Sequence, residues 1–326
     1  MKVRLKTLRP DILCLVLLFL LPLVFFGQQT LGGKTLLPAE NLYQYEPFFS
    51  HRDEAGAPEI PHNHLLSDLV LQNYQWKSFT RSQLSQGEIP LWNPHQFSGI
   101  PFLAAGQHSA LYPLSIIYYG MDLSAAYGWF TVINLWLAGA FMFGFLRFLG
   151  VGRAGATLAG VIYQFNGFVI ASILFQMMIG GIVWLPLLLW MTEALITEKP
   201  LFGRIKSPVL PVLIGAAALT MNMLAGHVEI TIYTLMITAY YAGIRLLWQS
   251  WQKRDARFFF TKAAFLTGMI ALGLGAGAVQ FVPLFEFVQT NWRAGKTDYD
   301  TVLTYAHAPR DILQFIMPNF YGSPVS

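Results

Sequence analysis

One carboxylate in this sequence has neighbours that suit acid–base chemistry. Apolar residues fall on one broad face of residues 62–88, which predicts that this stretch is mainly helical. Asp68, Gln72 and Gln75 follow the spacing i, i+4, i+7 and form an adjacent polar stripe. A carboxylate held beside a reacting hydroxyl can accept its proton, so Asp68 is a candidate general base. The alternative is an ordinary solvated acid on an exposed helix face.

A proline-rich stretch follows, GEIPLWNPHQFSGIPF, residues 87–102. Each of its three prolines lacks an N–H and fixes φ, which excludes a regular helix and a central strand. We therefore predict a stiff, extended lip that folds back beside Asp68. Asn93 and His95 within it offer hydrogen-bonding groups to a polyol, although a well-packed irregular loop would have the same composition.

Three residues further along the chain are candidates for binding a substrate. His227 and Glu229 are two positions apart, so they would not share a helix face but would converge in a turn. They either line a site or cap helix ends. Arg310 is suited to bidentate phosphate binding, and its alternative role is a solvated charge. The other cations considered for a phosphate are Arg81, Arg293 and Lys296.

Composition places the chain in a membrane. Of its 326 residues 55% are hydrophobic and only 12% are charged, whereas soluble domains carry about 25% charge. The net charge of +4 is small and unevenly placed, which argues for membrane orientation and against nucleic-acid binding. Cys14 is the one cysteine, so an intrachain disulfide is excluded.

Hydrophobic segments predict an all-α polytopic membrane protein that forms a single transmembrane domain over residues 1–326. Residues 12–27 are the first span, residues 28–123 form a large first outer loop with interfacial helices, residues 124–288 hold six further spans, and residues 289–326 form a last outer loop that ends as if truncated. The six later spans are predicted at 124–146, 154–174, 177–197, 208–226, 228–247 and 263–288.

The distribution of lysine and arginine predicts the orientation. Most of these residues fall in the short connections on one side of the predicted spans, which places that side and the N-terminus in the cytoplasm. The helix of residues 62–88 would then lie along the outer membrane surface, with Lys77 and Arg81 reaching lipid head groups. Aromatic residues of the lip suit the same interface, namely Trp92, Phe97 and Phe102.

Several short motifs together resemble the YfhO-type family of bacterial membrane proteins. They are DLVLQ from Asp68, GEIPLWNP from Gly87, SGIP from Ser98, ALYP from Ala110, GHVE from Gly226 and MPNFYG from Met317. The likeness covers most of the chain after about residue 65. Two departures are the shorter length of this chain and Val228-Glu229 where the family often has Pro-Gln.

The resemblance implies a GT-C-like bundle of about seven transmembrane helices in the bacterial cell membrane. Such proteins move a sugar from a polyprenyl-phosphate carrier to a cell-envelope polymer or glycolipid outside the cytoplasm, and Asp68 matches the position of their catalytic acid. Gln72, Asn93, His95, His227, Glu229 and Arg310 are then the expected substrate-binding residues. A divalent cation is left open as a cofactor. A transporter or flippase of a lipid-linked or small solute, or a non-catalytic membrane subunit, remains the alternative.

Overall fold

The computed structural model describes residues 2–59, 63, 66–201, 207–290, 298–304, 306, 308–317 and 319–322, and most of these residues are helical. The helices are α1 (Lys2–Phe25), α2 (Gly27–Thr30), α3 (Tyr74–Ser85), α4 (Ile116–Gly120), α5 (Leu123–Leu149), α6 (Arg153–Gln164), α7 (Gly167–Ala171), α8 (Gln176–Ile182), α9 (Leu185–Thr197), α10 (Val209–Leu224), α11 (Val228–Lys253), α12 (Ala256–Gln289) and α13 (Tyr299–Thr304). Strands β1 (Trp92–Asn93) and β2 (Ile100–Pro101) form a short antiparallel ribbon.

Five helical segments are long and apolar enough to cross a membrane, as expected of an all-α membrane protein. They are Leu123–Leu149, Arg153–Ala171, Gln176–Thr197, Val228–Lys253 and Ala256–Gln289. The first and fifth predicted spans correspond to shorter apolar helices, Pro10–Phe25 and Val209–Leu224. Each is below the roughly 20 apolar residues that a bilayer core requires. All seven predicted segments are therefore helices, and the count of seven spans stays a prediction.

Two of the predicted spans are each divided into two helices. Asn166 separates α6 from α7, and its side-chain Oδ1 accepts a hydrogen bond from the Val169 N–H at 3.0 Å, which caps α7. The segment α8–α9 breaks at Val183 and Trp184, and Pro186 lies in the first turn of α9, where a missing N–H costs nothing. Pro186 thus lies directly after the break in this segment.

Small residues bring α10 and α12 into close contact. A Cβ added at Gly273 would lie 2.9 Å from Leu219 Cβ, and one added at Gly277 would lie 2.6 Å from Met223 Sδ. Thr220 adds an interhelical hydrogen bond, since its Oγ1 donates to the Gly273 carbonyl at 3.1 Å. This pair of glycines, four residues apart, packs as small residues do between membrane helices.

Amide side chains inside the bundle hold neighbouring helices together. Gln164 donates through Nε2 to the carbonyls of Leu18 at 2.8 Å and Leu135 at 2.9 Å, which joins α6 to α1 and α5. Asn222 of α10 donates to the Gly181 carbonyl at 2.9 Å. These contacts are the interhelical hydrogen bonds expected of polar residues in a span.

The bundle has two unlike ends. The loop end carries residues 31–122, and the opposite end, called the basic end here, carries the C-termini of α5, α9 and α11. At the basic end Glu193 is 1% exposed and accepts from Arg245 Nε at 2.8 Å and from Tyr241 at 2.9 Å. Asp11 accepts from Arg153 Nε at 2.8 Å. The charges of this end therefore join helices to one another.

The loop segment is packed into the bundle. Tyr112 is buried between α5 and α9, where its hydroxyl contacts Asn134 Oδ1 at 3.2 Å and Trp184 Nε1 at 3.1 Å. Phe102 is 1% exposed and Lys77 is completely buried. The predictions that Phe102 lies at the membrane interface and that Lys77 reaches lipid head groups are therefore wrong, because this segment forms part of the core.

Candidate functional site

Asp68 lies at the start of a π-helical turn, Leu69–Asn73, that runs into α3. Leu69 and Val70 are buried on the inner side of this turn, and Asn73 Oδ1 accepts a hydrogen bond from Tyr127 of α5 at 2.7 Å. Because the inner side is anchored in this way, the Asp68 carboxylate projects outward and is exposed. Single π-helical turns are uncommon and occur frequently at functional sites.

The predicted amide neighbour of Asp68 is present. Gln72 donates through Nε2 to Asp68 Oδ1 at 3.2 Å, as the i, i+4 spacing predicted. The hydrogen bond leaves the second carboxylate oxygen of Asp68 without a protein donor among the described residues. The carboxylate is therefore oriented by one contact and still able to accept a proton.

Asp68 borders a small cavity, named the Asp68 cavity here, of about 60 Å³. Its walls come from the π-helical turn and α3, from the loop at Gln107 and from the connection between α7 and α8. The lining residues are Asp68, Leu69, Gln72, Asn73, Trp76, Gln107, Leu174, Phe175 and Met177. Since one water requires roughly 10–15 Å³ of such volume, the cavity has room for a few waters or for a small polar group of a ligand.

A larger cavity, the Glu229 cavity, lies beside it and measures about 350 Å³. It opens between the loop-end termini of α11 and α12, and its walls are mainly apolar. The lining residues are Ala105, Gln107, Gly226, Val228, Glu229, Phe281, Leu284, Phe285 and Val288. Gln107 borders both cavities, so the two form adjoining parts of one surface at the loop end.

His227 and Glu229 converge, as the turn interpretation predicted. His227 Nδ1 is 3.1 Å from Glu229 Oε2, and Glu229 is well exposed. His227 precedes α11 in extended backbone, which allows a residue two positions away to reach it. Burial lowers the pKa of His227, while the neighbouring Glu229 carboxylate opposes that shift. The imidazole is therefore favoured in its neutral form.

The backbone on both sides of Gln107 is fixed by buried contacts. The Lys77 ammonium donates to the His108 carbonyl at 2.7 Å and lies 4.5 Å from the ring centroid of Tyr118. Ser109 Oγ donates to the Ala225 carbonyl at 2.7 Å. Gly226 has φ +93°, and a Cβ there would collide with the Gly106 carbonyl. The loop and the end of α10 are thus in direct backbone contact.

The buried lysine lies in a low-dielectric environment, and it has no carboxylate partner in the part of the chain that the structure describes. Burial lowers the pKa of Lys77 to about 7. Burial, with a further contribution from Lys77, lowers the pKa of His108 to about 3, so this histidine is neutral. His108 Nδ1 accepts from the Ala110 N–H at 2.9 Å, which places the ring proton on Nε2, 3.2 Å from the Leu103 carbonyl.

The lip of residues 87–102 forms the β1–β2 ribbon, with Trp92 opposite Pro101 and Asn93 opposite Ile100. Asn93 is buried, and its side-chain amide forms two hydrogen bonds within the lip. The amide Nδ2 donates to Gln96 Oε1 at 3.2 Å, and Oδ1 accepts from the His95 N–H at 2.9 Å. His95 is exposed and its ring packs edge-on against Phe79. Asn93 therefore shapes the lip, and His95 is the accessible one of the two predicted residues.

Arg310 has local contacts. Its guanidinium is exposed, lies 3.8 Å from Asp311 and sits over the ring of Tyr321. Among the described residues it has no contact with Asp68, Gln107 or Glu229. The other two cations of the last loop that were considered, Arg293 and Lys296, lie outside the described residues.

Among the described residues, no group of three histidine, cysteine or acidic side chains is close enough to hold a metal ion.

Sequence reasoning missed Gln107, the residue that borders both cavities, because it stands outside any amphipathic pattern. The only signal was its position at the start of QHSALYP, directly after Gly106.

Comparison of the chain with family models, curated proteins and solved structures found no match to any of them.

Proposed function

We propose that this chain is a membrane glycosyltransferase of the bacterial cell membrane, which moves a sugar from a polyprenyl-phosphate carrier to a cell-envelope polymer or glycolipid. The observation that carries the proposal is the position of Asp68, an exposed carboxylate at the end of an apolar bundle that borders a cavity lined by amides and an aromatic ring. The resemblance of its motifs to the YfhO-type family supports the same assignment.

In the proposed reaction Asp68 acts as general base. The acceptor hydroxyl attacks the anomeric carbon of the sugar and its proton passes to the Asp68 carboxylate. The bond between the anomeric carbon and the phosphate oxygen breaks, and the electron pair leaves with the polyprenyl phosphate. Gln72 orients the carboxylate through its 3.2 Å hydrogen bond. Trp76, in the same cavity, offers an apolar face to the sugar ring.

The leaving phosphate requires hydrogen-bond donors or positive charge more than it requires a proton. We propose Arg310 for this role, because its guanidinium is exposed and its ion pair with Asp311 is long at 3.8 Å. A GT-C-like bundle of seven spans with a cytoplasmic N-terminus would put Asp68 on the outer side, and the paired basic side chains at the opposite end agree with that orientation.

A transporter would need polar or charged groups available near the middle of the membrane. The amides inside the bundle are instead used between elements: Gln164 bonds two other helices, Asn222 bonds Gly181, and Asn134 bonds Tyr112. The exposed carboxylates of Asp68 and Glu229 lie at the loop end. This distribution favours chemistry at the loop end over passage through the bundle.

The test is transfer of labelled sugar by the purified chain in liposomes that contain polyprenyl-phosphate sugars and envelope glycolipid. Asp68→Asn is expected to remove transfer while leaving the thermal midpoint unchanged, because the side chain is exposed and isosteric. The matched control is Asp53→Asn, since Asp53 is an exposed acid of the same loop segment outside both cavities. Transfer at the wild-type rate by Asp68→Asn would overturn the catalytic assignment.

A further inference from the structure

Two adjoining cavities, of which the Asp68 cavity has the larger share of polar side chains, meet at one side chain. Besides Gln107, the Asp68 cavity is lined by a carboxylate, two amide side chains, a tryptophan and four apolar residues, whereas the Glu229 cavity is lined by apolar residues and one charged side chain, Glu229. Gln107 borders both of them. A water-soluble sugar would leave the apolar wall unused, and a lipid tail would leave the polar wall unused. Together the cavities fit a molecule that changes from polar to apolar at Gln107.

The side chain of Gln107 is exposed and has no hydrogen-bond partner among the described residues. Its backbone, by contrast, is held on both sides. The buried Lys77 ammonium bonds the carbonyl of the next residue, His108, at 2.7 Å, and the preceding Gly106 is in backbone contact with Gly226. The backbone is therefore held in place for a ligand, and the free side-chain amide has its donor and acceptor available for it.

Burying a lysine without a carboxylate is unfavourable, and this one is buried completely. Its three donors face a carbonyl and an aromatic ring, namely those of His108 and Tyr118. The contact fixes the loop at the residue next to Gln107 and joins it to α3, which carries the walls of the Asp68 cavity. The position of Gln107 relative to Asp68 is thus determined by the core of the protein.

We infer that Gln107 is a ligand-binding residue at which a bound amphiphile passes from its polar head, in the Asp68 cavity, to its apolar chain, in the Glu229 cavity. The inference rests on the proposed function in one respect, that the amphiphile is a lipid-linked sugar. The side-chain amide donates to and accepts from the linkage between sugar and lipid, so its contribution is to affinity and placement of the donor. It takes no proton in the reaction.

The experiment measures binding and transfer separately in lipid nanodiscs. The binding probe is a fluorescent polyprenyl-phosphate hexose, and the comparison probe is the methyl glycoside of the same hexose, which lacks the lipid. Gln107→Ala is expected to weaken binding of the lipid-linked probe about tenfold, since it removes one hydrogen-bonding group. Gln107→Glu is expected to weaken it further through repulsion between carboxylate and phosphate. The methyl glycoside is expected to bind far more weakly than the lipid-linked probe.

The matched control is Gln44→Ala, because Gln44 is an exposed glutamine of the same loop segment outside both cavities. If Gln107→Ala binds the lipid-linked probe as tightly as the wild type does, the role of Gln107 is overturned and the proposed function still stands. If the wild type binds the methyl glycoside as tightly as the lipid-linked probe, the inference that the ligand is an amphiphile is overturned. A wild-type chain that binds neither probe would overturn both proposals.

Discussion

The two ends of the bundle use their charged residues differently. At the basic end, Glu193 is buried and bound by Arg245 and Tyr241, and Glu198 is bound by Lys262 at 2.6 Å. At the loop end, Asp68 and Glu229 are exposed and have no lysine or arginine partner among the described residues. The buried cation of that end, Lys77, bonds a carbonyl. These charges at the basic end join helices, and the carboxylates of Asp68 and Glu229 at the loop end remain available to a ligand.

The difference predicts opposite consequences for substitutions at the two ends. Asp68→Asn should lower the rate of sugar transfer by at least about a hundredfold, the usual contribution of a general base. Its free energy of unfolding should change by less than about 0.5 kcal/mol, as for an exposed position. Transfer assays and thermal unfolding of the same preparation measure both. A large loss of stability without a loss of transfer would reverse the comparison.

Arg245→Met should have the reverse pattern. The substitution leaves the Glu193 carboxylate buried with a tyrosine hydroxyl as its remaining partner, and breaking a buried pair costs about 3–5 kcal/mol. The thermal midpoint in detergent should fall strongly, while transfer per folded molecule stays near the wild-type value. Arg257→Met is the control, because Arg257 is an exposed cation at the same end. An unchanged midpoint for Arg245→Met would contradict the role assigned to the basic end.

The contact between α10 and α12 should be sensitive to size and confined to one face. Gly277→Leu should destabilise the chain by about 1–3 kcal/mol, because the new side chain meets Met223 in a filled interface. Gly275→Leu should be nearly neutral, since a side chain there enters open space. The thermal midpoints of the two variants measure the difference, and the two positions lie on the same helix, two residues apart. Equal destabilisation would show that the interface is placed wrongly.

The buried lysine predicts a dependence of stability on pH. In the folded state the pKa of Lys77 is lowered to about 7 from its ordinary value of 10.5, so between these values the unfolded chain binds the extra proton. The free energy of unfolding should therefore rise as the pH increases from about 7 towards 9.5. Lys77→Met should remove this rise, which thermal midpoints over that range would measure. If the thermal midpoints of the wild type and of Lys77→Met changed with pH in the same way, this prediction would be contradicted.

The sequence predicted the helices well and the loop segment poorly. Runs of apolar residues identified the segments that form α5 to α12. Those features depend on neighbours close in sequence. The burial of Lys77 depends on Tyr118 and His108, 41 and 31 positions away, and no local pattern contains that information.

The candidate site shows the same limit. The hydrogen bond between Asp68 and Gln72 and the approach of His227 to Glu229 follow from short spacings and were predicted. Gln107 borders both cavities because a loop returns between α10 and α12, a tertiary arrangement. Asn93 was predicted to bind a substrate from its chemical type alone, and in the structure its amide is engaged within the lip.

The most direct test of the account is an experimental structure of the chain in a nanodisc with a bound polyprenyl-phosphate sugar. We expect the sugar beside Asp68 and Gln72, the linkage at Gln107, and the first part of the lipid chain against Phe281 and Phe285 of α12. Density for the sugar at the basic end, or bound at the loop end but away from Asp68, would contradict the central claim that the loop end is the reacting surface.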